Sequence, residues 1–243
     1  MKRIFVFDID GTLTPARQKM TDKFYSFFSH FCRKNEIYLV TGSDYNKILQ
    51  QVPEDILDFA AGVFTCSGNQ YWEKGTLIHE KEFIVPEKLL SFLGQKIKYS
   101  NSPTKTGNHI EIRSGMVNFS TVGRNCTQEQ RENYYYWDGE HGERKLLKER
   151  IMYMFPELDC AIGGQISIDI YPMGCDKSQA ISYIKEKHDN TPITFFGDRL
   201  EPGGNDFPVY SAMNQASCAP LDIAMPVEGW RETMRILQEV YND

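Results

Sequence analysis

Two aspartates one residue apart, Asp8 and Asp10, close a short apolar run at Ile4–Phe7. Two hydroxyl side chains, Thr41 and Ser43, follow a second such run, and a further aspartate, Asp198, follows a late one. Carboxylates gathered at strand ends form a hard, all-oxygen ligand set suited to Mg²⁺, and the ion screens a phosphate from their negative charge. A carboxylate beside such an ion can attack phosphorus and form an acyl phosphate, splitting one transfer into two steps. A bare D-x-D reads equally well as a solvated turn, so its context decides what it means.

The segments that must position these residues read as α/β. Ile4–Phe7, Ile37–Val40 and Ile193–Phe196 are apolar without alternation, as in strands buried on both faces of a parallel sheet; Val63–Cys66 is a fourth candidate, stopped by Ser67-Gly68-Asn69. Asp22–Arg33 carries Phe24, Phe27, Phe28 and Phe31 at helical spacing, and a helix can start after Ser43. In open sheets of this kind ligands bind beyond the carboxyl ends of the strands, where the aspartates and hydroxyls lie.

After Pro86 the pattern changes. A helix is predicted over Glu87–Lys96, and the segments 109–113 and 116–120 alternate around Ser114-Gly115 as a hairpin. Two more helices follow, over Gln128–Tyr135 and Arg144–Phe155. Gln165–Tyr171 alternates polar and apolar residues, as a strand with one wet face in an antiparallel sheet does. Beyond Pro172 the α/β character returns with a helix over Asp176–His188. A last helix after Pro226 places Val227, Trp230, Met234 and Leu237 on one face. The expected fold is a Rossmann-like, doubly wound parallel sheet from residues 1–84 and 175–243, with an inserted α+β domain over residues 85–174 that contains an antiparallel sheet.

Composition narrows the function classes. The chain has 243 residues, 15 Phe, 13 Tyr and 3 Trp, too much burial for a disordered chain. Its net charge of -6 argues against a nucleic-acid binder, which carries a basic surplus. No apolar run approaches the roughly 20 residues of a membrane helix. Asp8 and Asp10 also break the first apolar stretch before it could serve as a signal sequence. Six cysteines (Cys32, Cys66, Cys126, Cys160, Cys175, Cys218) show no C-x-x-C spacing, which favours reduced thiols and a cytoplasmic protein.

The order of the motifs is more specific than any one of them. Phe7-Asp8-Ile9-Asp10-Gly11-Thr12-Leu13-Thr14, then Thr41-Gly42-Ser43, Lys177 and Gly197-Asp198, resembles the four motifs of the haloacid dehalogenase superfamily. The resemblance implies that Asp8 attacks phosphorus and Asp10 is the general acid and base. Thr41 or Ser43, with Lys177, would hold the transferring phosphoryl group. Asp8, Asp10 and Asp198 would hold Mg²⁺, with Asn205 and Asp206 in support.

Longer segments are similar to the eukaryotic-type phosphomannomutases: Asp8 to Arg17 with its Pro15-Ala16-Arg17 extension, Glu111 to Asn118, Val122 to Arg131, Ile162 to Asp169, Gly174 to Lys177, and Phe195 to Asp198 with Pro202 to Asp206. This implies interconversion of mannose 6-phosphate and mannose 1-phosphate through an aspartyl phosphate, feeding GDP-mannose synthesis. A hexose 1,6-bisphosphate, of mannose or glucose, would be the activator. The insert would be a type IIB cap, and the protein a homodimer through it. Substrate contacts are implied at Arg17, Arg113, Asn118, Arg124, Arg131, Gly164, Ser167 and Asp169. The charges agree: a bisphosphate has two dianionic ends, and the one away from Asp8 needs a basic site that Arg113, Arg124 and Arg131 can supply. Ser167 and Asp169 share a strand face toward sugar hydroxyls, and Gly163-Gly164 can bring main-chain N–H groups to a phosphate.

The chain departs from the family pattern at four places. It has Thr41-Gly42-Ser43-Asp44 for Gly-Gly-Ser-Asp, and Ser67-Gly68-Asn69 for Glu-Asn-Gly. The stretch before His109 is shorter. Tyr210, Ala212 and Gln215 stand where acidic ligands of a second, structural ion are expected. Two other readings share the core motifs: a sugar-phosphate phosphatase of the same superfamily, and a non-catalytic sugar-phosphate sensor. Arg17 and the arginines of the insert favour the mutase, and intact Asp8, Asp10, Lys177 and Asp198 favour catalysis.

Overall fold

The computed structural model describes residues 2–214 and 221–241. Gln215 and Cys218 therefore lie outside the described residues. The chain divides into two compact units, Met1–Glu80 with Cys175–Asp243, and Lys81–Gly174.

The first unit begins with β1 (Ile4–Phe7), α1 (Asp22–Lys34), β2 (Glu36–Val40), α2 (Tyr45–Gln51), α3 (Glu54–Phe59), β3 (Gly62–Thr65), β4 (Gln70–Glu73) and β5 (Thr76–Glu80). The second unit holds α4 (Glu87–Tyr99), β6 (Ile110–Arg113), β7 (Met116–Phe119), α5 (Gln128–His141), α6 (Glu143–Met154), β8 (Leu158–Gly163) and β9 (Ser167–Pro172). The chain returns to the first unit with α7 (Ser178–Lys187), β10 (Ile193–Gly197), α8 (Phe207–Met213), β11 (Ile223–Pro226) and α9 (Trp230–Val240).

The first unit is built on a seven-stranded sheet in the order β11-β10-β1-β2-β3-β4-β5. From β11 to β3 all neighbours run parallel, and β4 and β5 add an antiparallel ribbon at one edge. The central strands β1, β2 and β10 are buried nearly throughout because helices cover both faces. Phe5, Phe7, Ile37 and Leu39 pack with Phe24, Phe28 and Phe31 of α1 on one side. Ile4, Val6, Tyr38 and Val40 pack with Ile181 and Ile184 of α7 on the other. Central β1 pairs with β2 on one side and β10 on the other. At such a switch in connection the loops diverge and leave a crevice beyond the strand ends.

The second unit has a four-stranded antiparallel sheet, β6-β7-β9-β8. The β6–β7 hairpin turns through Ser114-Gly115, with Gly115 at φ +68, a conformation that suits glycine. One sheet face carries Val117, Phe119, Ile168 and Ile170, packed with Leu89 and Leu93 of α4 and Leu147 and Ile151 of α6. Helix α5 outruns its predicted end at Tyr135. A capping box of Thr127 and Gln130 starts it, and Gly142 at φ +66 ends it and leads into α6. The wet face expected for β9 is instead buried, because β9 lies between β7 and β8 and its polar side chains meet neighbours in the sheet. Among the described residues no helix is long and apolar enough to cross a membrane.

Candidate active site

Strand register aligns the reactive residues. Phe7 sits opposite Phe196 on one side and Leu39 on the other, so Asp8, Thr41 and Asp198 emerge together from the same end of the sheet. Asp8 N–H still donates to the Phe196 carbonyl (2.9 Å), which fixes where its side chain begins. The buried Lys177 ammonium, at the N-cap of α7, donates to Asp8 Oδ1 and to Asp206 Oδ1, each at 2.6 Å. Asp206 is closed in from its other side by the Arg199 N–H on Oδ2 (3.2 Å).

Asp8, Asp198 and Asp206 each place a carboxylate oxygen within 4.8 Å of the others. One lysine faces three carboxylates. Burial, joined by Asp206 and Asp198 and opposed by Lys177, holds the Asp8 carboxyl well above the usual carboxylate range. Burial and then Asp206 push Asp198 up to about 7. Lys177 alone would be pulled down by burial, but Asp206 and Asp8 outweigh this and hold it above its ordinary value. No donor among the described residues hydrogen-bonds the Asp198 carboxylate, and its Oδ2 lies where a side chain at Gly11 would stand. Close carboxylate oxygens that outnumber their one lysine fit a divalent metal ion.

The acidic group differs from the sequence-derived set of Asp8, Asp10 and Asp198. Asp206 joins it, and the Asp10 side chain does not. After β1 the chain turns, and the Asp10 carboxylate faces the Pro15–Gln18 turn. Its Oδ1 accepts from Arg17 N–H (2.5 Å) and Gln51 Nε2 (2.8 Å), and its Oδ2 from Ser43 Oγ (3.5 Å). Gln51, which the sequence did not single out, is a buried residue of α2. Its carbonyl also accepts from Met20 N–H (2.8 Å), so one residue anchors both Asp10 and the segment bearing Arg17. Arg17 is exposed, in the left-handed region at φ +58. Thr41 is buried and its Oγ1 accepts from Ser43 N–H (3.1 Å), which ties the two hydroxyl residues into one turn. Asn205 Oδ1 is buried without a hydrogen-bond partner. Tyr210 and Ala212 lie in α8.

The other sequence-derived residues lie in the second unit. Register places Glu111, Asn118 and Asp169 in one row across β6, β7 and β9, with Arg113 and Ser167 two residues away on the same face. Asn118 Nδ2 donates to Asp169 Oδ1, and both residues are buried. Gly163 leaves room for the Asp169 carboxylate: a Cβ there would stand 3.0 Å from Oδ2. Arg113 and Arg124 both meet Glu111, the first through Nη2 and the second through Nε at 3.5 Å, so two guanidinium groups face one carboxylate. Gly123 must be glycine, since a Cβ would run into the Gly107 carbonyl, and this fixes the approach of Arg124. Arg131 is buried near the start of α5. Gly164 forms the β8–β9 turn at φ +48. Two further buried residues, Asp138 and Arg144, were not expected from the sequence; no short motif marks their pairing, which brings the end of α5 to the start of α6.

Comparisons with known proteins bear on both units. A family model described as eukaryotic phosphomannomutase matches residues 24–243. A probable phosphomannomutase of Caenorhabditis elegans is 34% identical over 254 aligned residues, covering 100% of this chain and 96% of that protein. A phosphomannomutase of Drosophila melanogaster is 34% identical, covering 98% and 94%. One from Dendrobium officinale is 36% identical, covering 86% and 85%. Solved structures show the same fold at much lower identity. A haloacid dehalogenase-like hydrolase from Bacteroides thetaiotaomicron aligns with a TM-score of 0.63 at 11% identity, covering 99% of this chain and 100% of that one. An IMP-nucleotidase from Plasmodium falciparum aligns with a TM-score of 0.66 at 16% identity, covering 100% of this chain and 68% of that one. With a haloacid dehalogenase-like fold and these relatives along its length, the chain belongs to the eukaryotic phosphomannomutase family.

Proposed function

We propose that this protein interconverts mannose 6-phosphate and mannose 1-phosphate through an aspartyl phosphate on Asp8. The observation that carries the reading is Lys177 bridging Asp8 and Asp206 beside Asp198, at the strand ends of a chain related to phosphomannomutases along its length. Asp8, Asp198 and Asp206 would hold Mg²⁺, which when bound offsets charge on the phosphoryl oxygens.

Asp8 attacks a phosphorus of a hexose 1,6-bisphosphate, the bond from phosphorus to the sugar oxygen breaks, and that oxygen takes its proton from Asp10. In the reverse half-reaction Asp10 removes the proton from the 1- or 6-hydroxyl of a monophosphate as it attacks the phosphoryl group on Asp8. Lys177 holds the attacking carboxylate and balances the equatorial oxygens, while Thr41 and Ser43 offer hydroxyl donors to them. The second unit acts as the cap: Arg113, Arg124 and Arg131 bind the phosphate that is not reacting, and Asn118, Ser167 and Asp169 meet the sugar hydroxyls. The bisphosphate is the activator, since it loads Asp8. The free, buried thiols Cys32 and Cys160 support a cytoplasmic setting, where the product would feed GDP-mannose synthesis. A homodimer through that unit is part of the same reading.

The test is incubation with mannose 1-phosphate, Mg²⁺ and a catalytic amount of hexose 1,6-bisphosphate. Mannose 6-phosphate is the expected product. Free phosphate would make the protein a phosphatase, and no product would make it a sensor.

A further inference from the structure

Asp138 and Arg144 lie outside the segments shared in motif with the phosphomannomutases, yet both are buried, at 7% and 5% exposure. Arg144 N–H donates to Asp138 Oδ1 (2.8 Å) and Arg144 Nε to Asp138 Oδ2 (2.7 Å), which fixes the guanidinium plane. The same guanidinium reaches the β8–β9 turn, where Nη1 donates to the Gly164 carbonyl (2.9 Å). A lysine would keep the main-chain bond to Asp138 but lacks the planar fork that reaches Asp138 through Nε and Gly164 through Nη1 at once.

The consequence lies on the far side of that peptide. A trans peptide is planar, so its C=O and N–H point in opposite directions. With the Gly164 carbonyl held on Arg144, the Gln165 N–H faces away from the guanidinium. None of the described residues accepts a hydrogen bond from it. A Cβ on Gly164 would meet nothing within 4 Å, so the turn is also open. Two residues later the chain enters β9 at Ser167, on the face that carries Asp169, Asn118 and Arg113. An outward main-chain N–H in an open turn is a donor that a phosphate oxygen can use.

We propose that Arg144 and Asp138 are positioning residues that hold the Gly164–Gln165 peptide with its N–H outward, as a donor to the non-reacting phosphate of the substrate. This rests on the phosphomannomutase reading. Asp138 orients the guanidinium, the guanidinium orients the peptide, and the peptide meets the ligand.

The test compares the wild type with R144K, R144M and D138N/R144M, the last because R144M alone leaves the Asp138 carboxylate buried without its partner. Three readouts are taken on each: the KM and kcat for mannose 1-phosphate, the rate of acetyl phosphate hydrolysis, and the shift of the Gln165 amide resonance on titration with mannose 1-phosphate. Acetyl phosphate has no second phosphate, and its acetate leaves without needing a proton. Water then cleaves the aspartyl phosphate with Asp10 as base, so its hydrolysis reports the chemistry at Asp8 and Asp10 without the second phosphate. In the wild type the Gln165 amide moves on titration. In D138N/R144M the KM rises roughly tenfold or more, the loss of one hydrogen bond to a charged group. The amide response is lost there, and acetyl phosphate hydrolysis is retained; R144K falls between. An unchanged KM in D138N/R144M, or equal losses of both activities, would overturn the proposal. If the wild type shows no mutase activity but its Gln165 amide responds to mannose 1-phosphate, the functional reading fails and this assignment stands. If it shows mutase activity with a silent Gln165 amide, the functional reading stands and this assignment fails.

Discussion

The two units treat buried charge in opposite ways. In the first, three carboxylates, Asp8, Asp198 and Asp206, share the single ammonium of Lys177. In the second, the two guanidinium groups of Arg113 and Arg124 share the single carboxylate of Glu111. Near Asp8 the carboxylates thus outnumber the one ammonium, whereas in the second unit guanidinium groups gather on one carboxylate, although the chain as a whole carries -6. A buried surplus is costly unless a ligand of the other sign completes it. The first unit therefore suits a cation, and the guanidinium groups of the second suit a phosphate, which are the two needs of a metal-assisted phosphoryl transfer to a substrate with a second phosphate. Global charge says nothing of this; the placement of seven side chains does.

The sharpest way to break the contrast is to remove the nucleophile. D8N should lower turnover of mannose 1-phosphate by roughly 10⁴-fold or more. Its thermal midpoint without metal should not fall, because the change takes one charge from a crowded carboxylate group. Calorimetry alongside the mutase assay checks both. Next in size is Lys177. K177M leaves the buried carboxylates with no counter-charge and should cost about 3–5 kcal/mol in a denaturant titration, the cost of breaking a buried pair. D8N/K177M should recover part of it.

Changing the second unit should change binding and spare the chemistry at Asp8. R124M should raise the KM for mannose 1-phosphate roughly tenfold while acetyl phosphate hydrolysis stays at the wild-type rate; equal losses in both would mean that the contrast between the units is false. The acidic group also sets a pH dependence. The Asp198 carboxyl is raised in the folded protein from the ordinary 3.8 to about 7, and Asp8 is raised too. Between these values the folded state binds more protons than the unfolded one. The stabilisation is present in full below about pH 4 and is lost as the pH rises through about 7. The metal-free midpoint should fall across that window, and Mg²⁺ should offset the fall, since it takes the deprotonated carboxylates. A flat metal-free profile would show that the acidic group is not in surplus.

What was legible in the sequence follows a physical division. Strands buried on both faces, β1, β2 and β10, advertise themselves as unbroken apolar runs, and their ends placed Asp8, Thr41 and Asp198 together. The β4–β5 ribbon did not show itself, because Gln70–Glu73 mixes polar and aromatic residues and Thr76–Glu80 is exposed throughout. Strand β9 showed its period of two but not its burial, which depends on its neighbours in the sheet. The Asp10 carboxylate turned toward Arg17 N–H and Gln51 instead of the acidic group, since the direction of a side chain in a turn after a strand depends on which donors the fold brings near. Gln51, Asp138 and Arg144 went unseen for the same reason: each acts through a contact made by helix packing, which leaves no local pattern.

The central claim is that phosphoryl transfer passes through Asp8. The most direct measurement is to mix the Mg²⁺-loaded protein with hexose 1,6-bisphosphate labelled in its phosphates, quench in acid within milliseconds, and map the label by peptide. The label should sit on the peptide containing Asp8, at a level that falls when mannose 6-phosphate is added, and should be absent from D8N. Turnover without label on Asp8, or label elsewhere that persists in D8N, would contradict the claim.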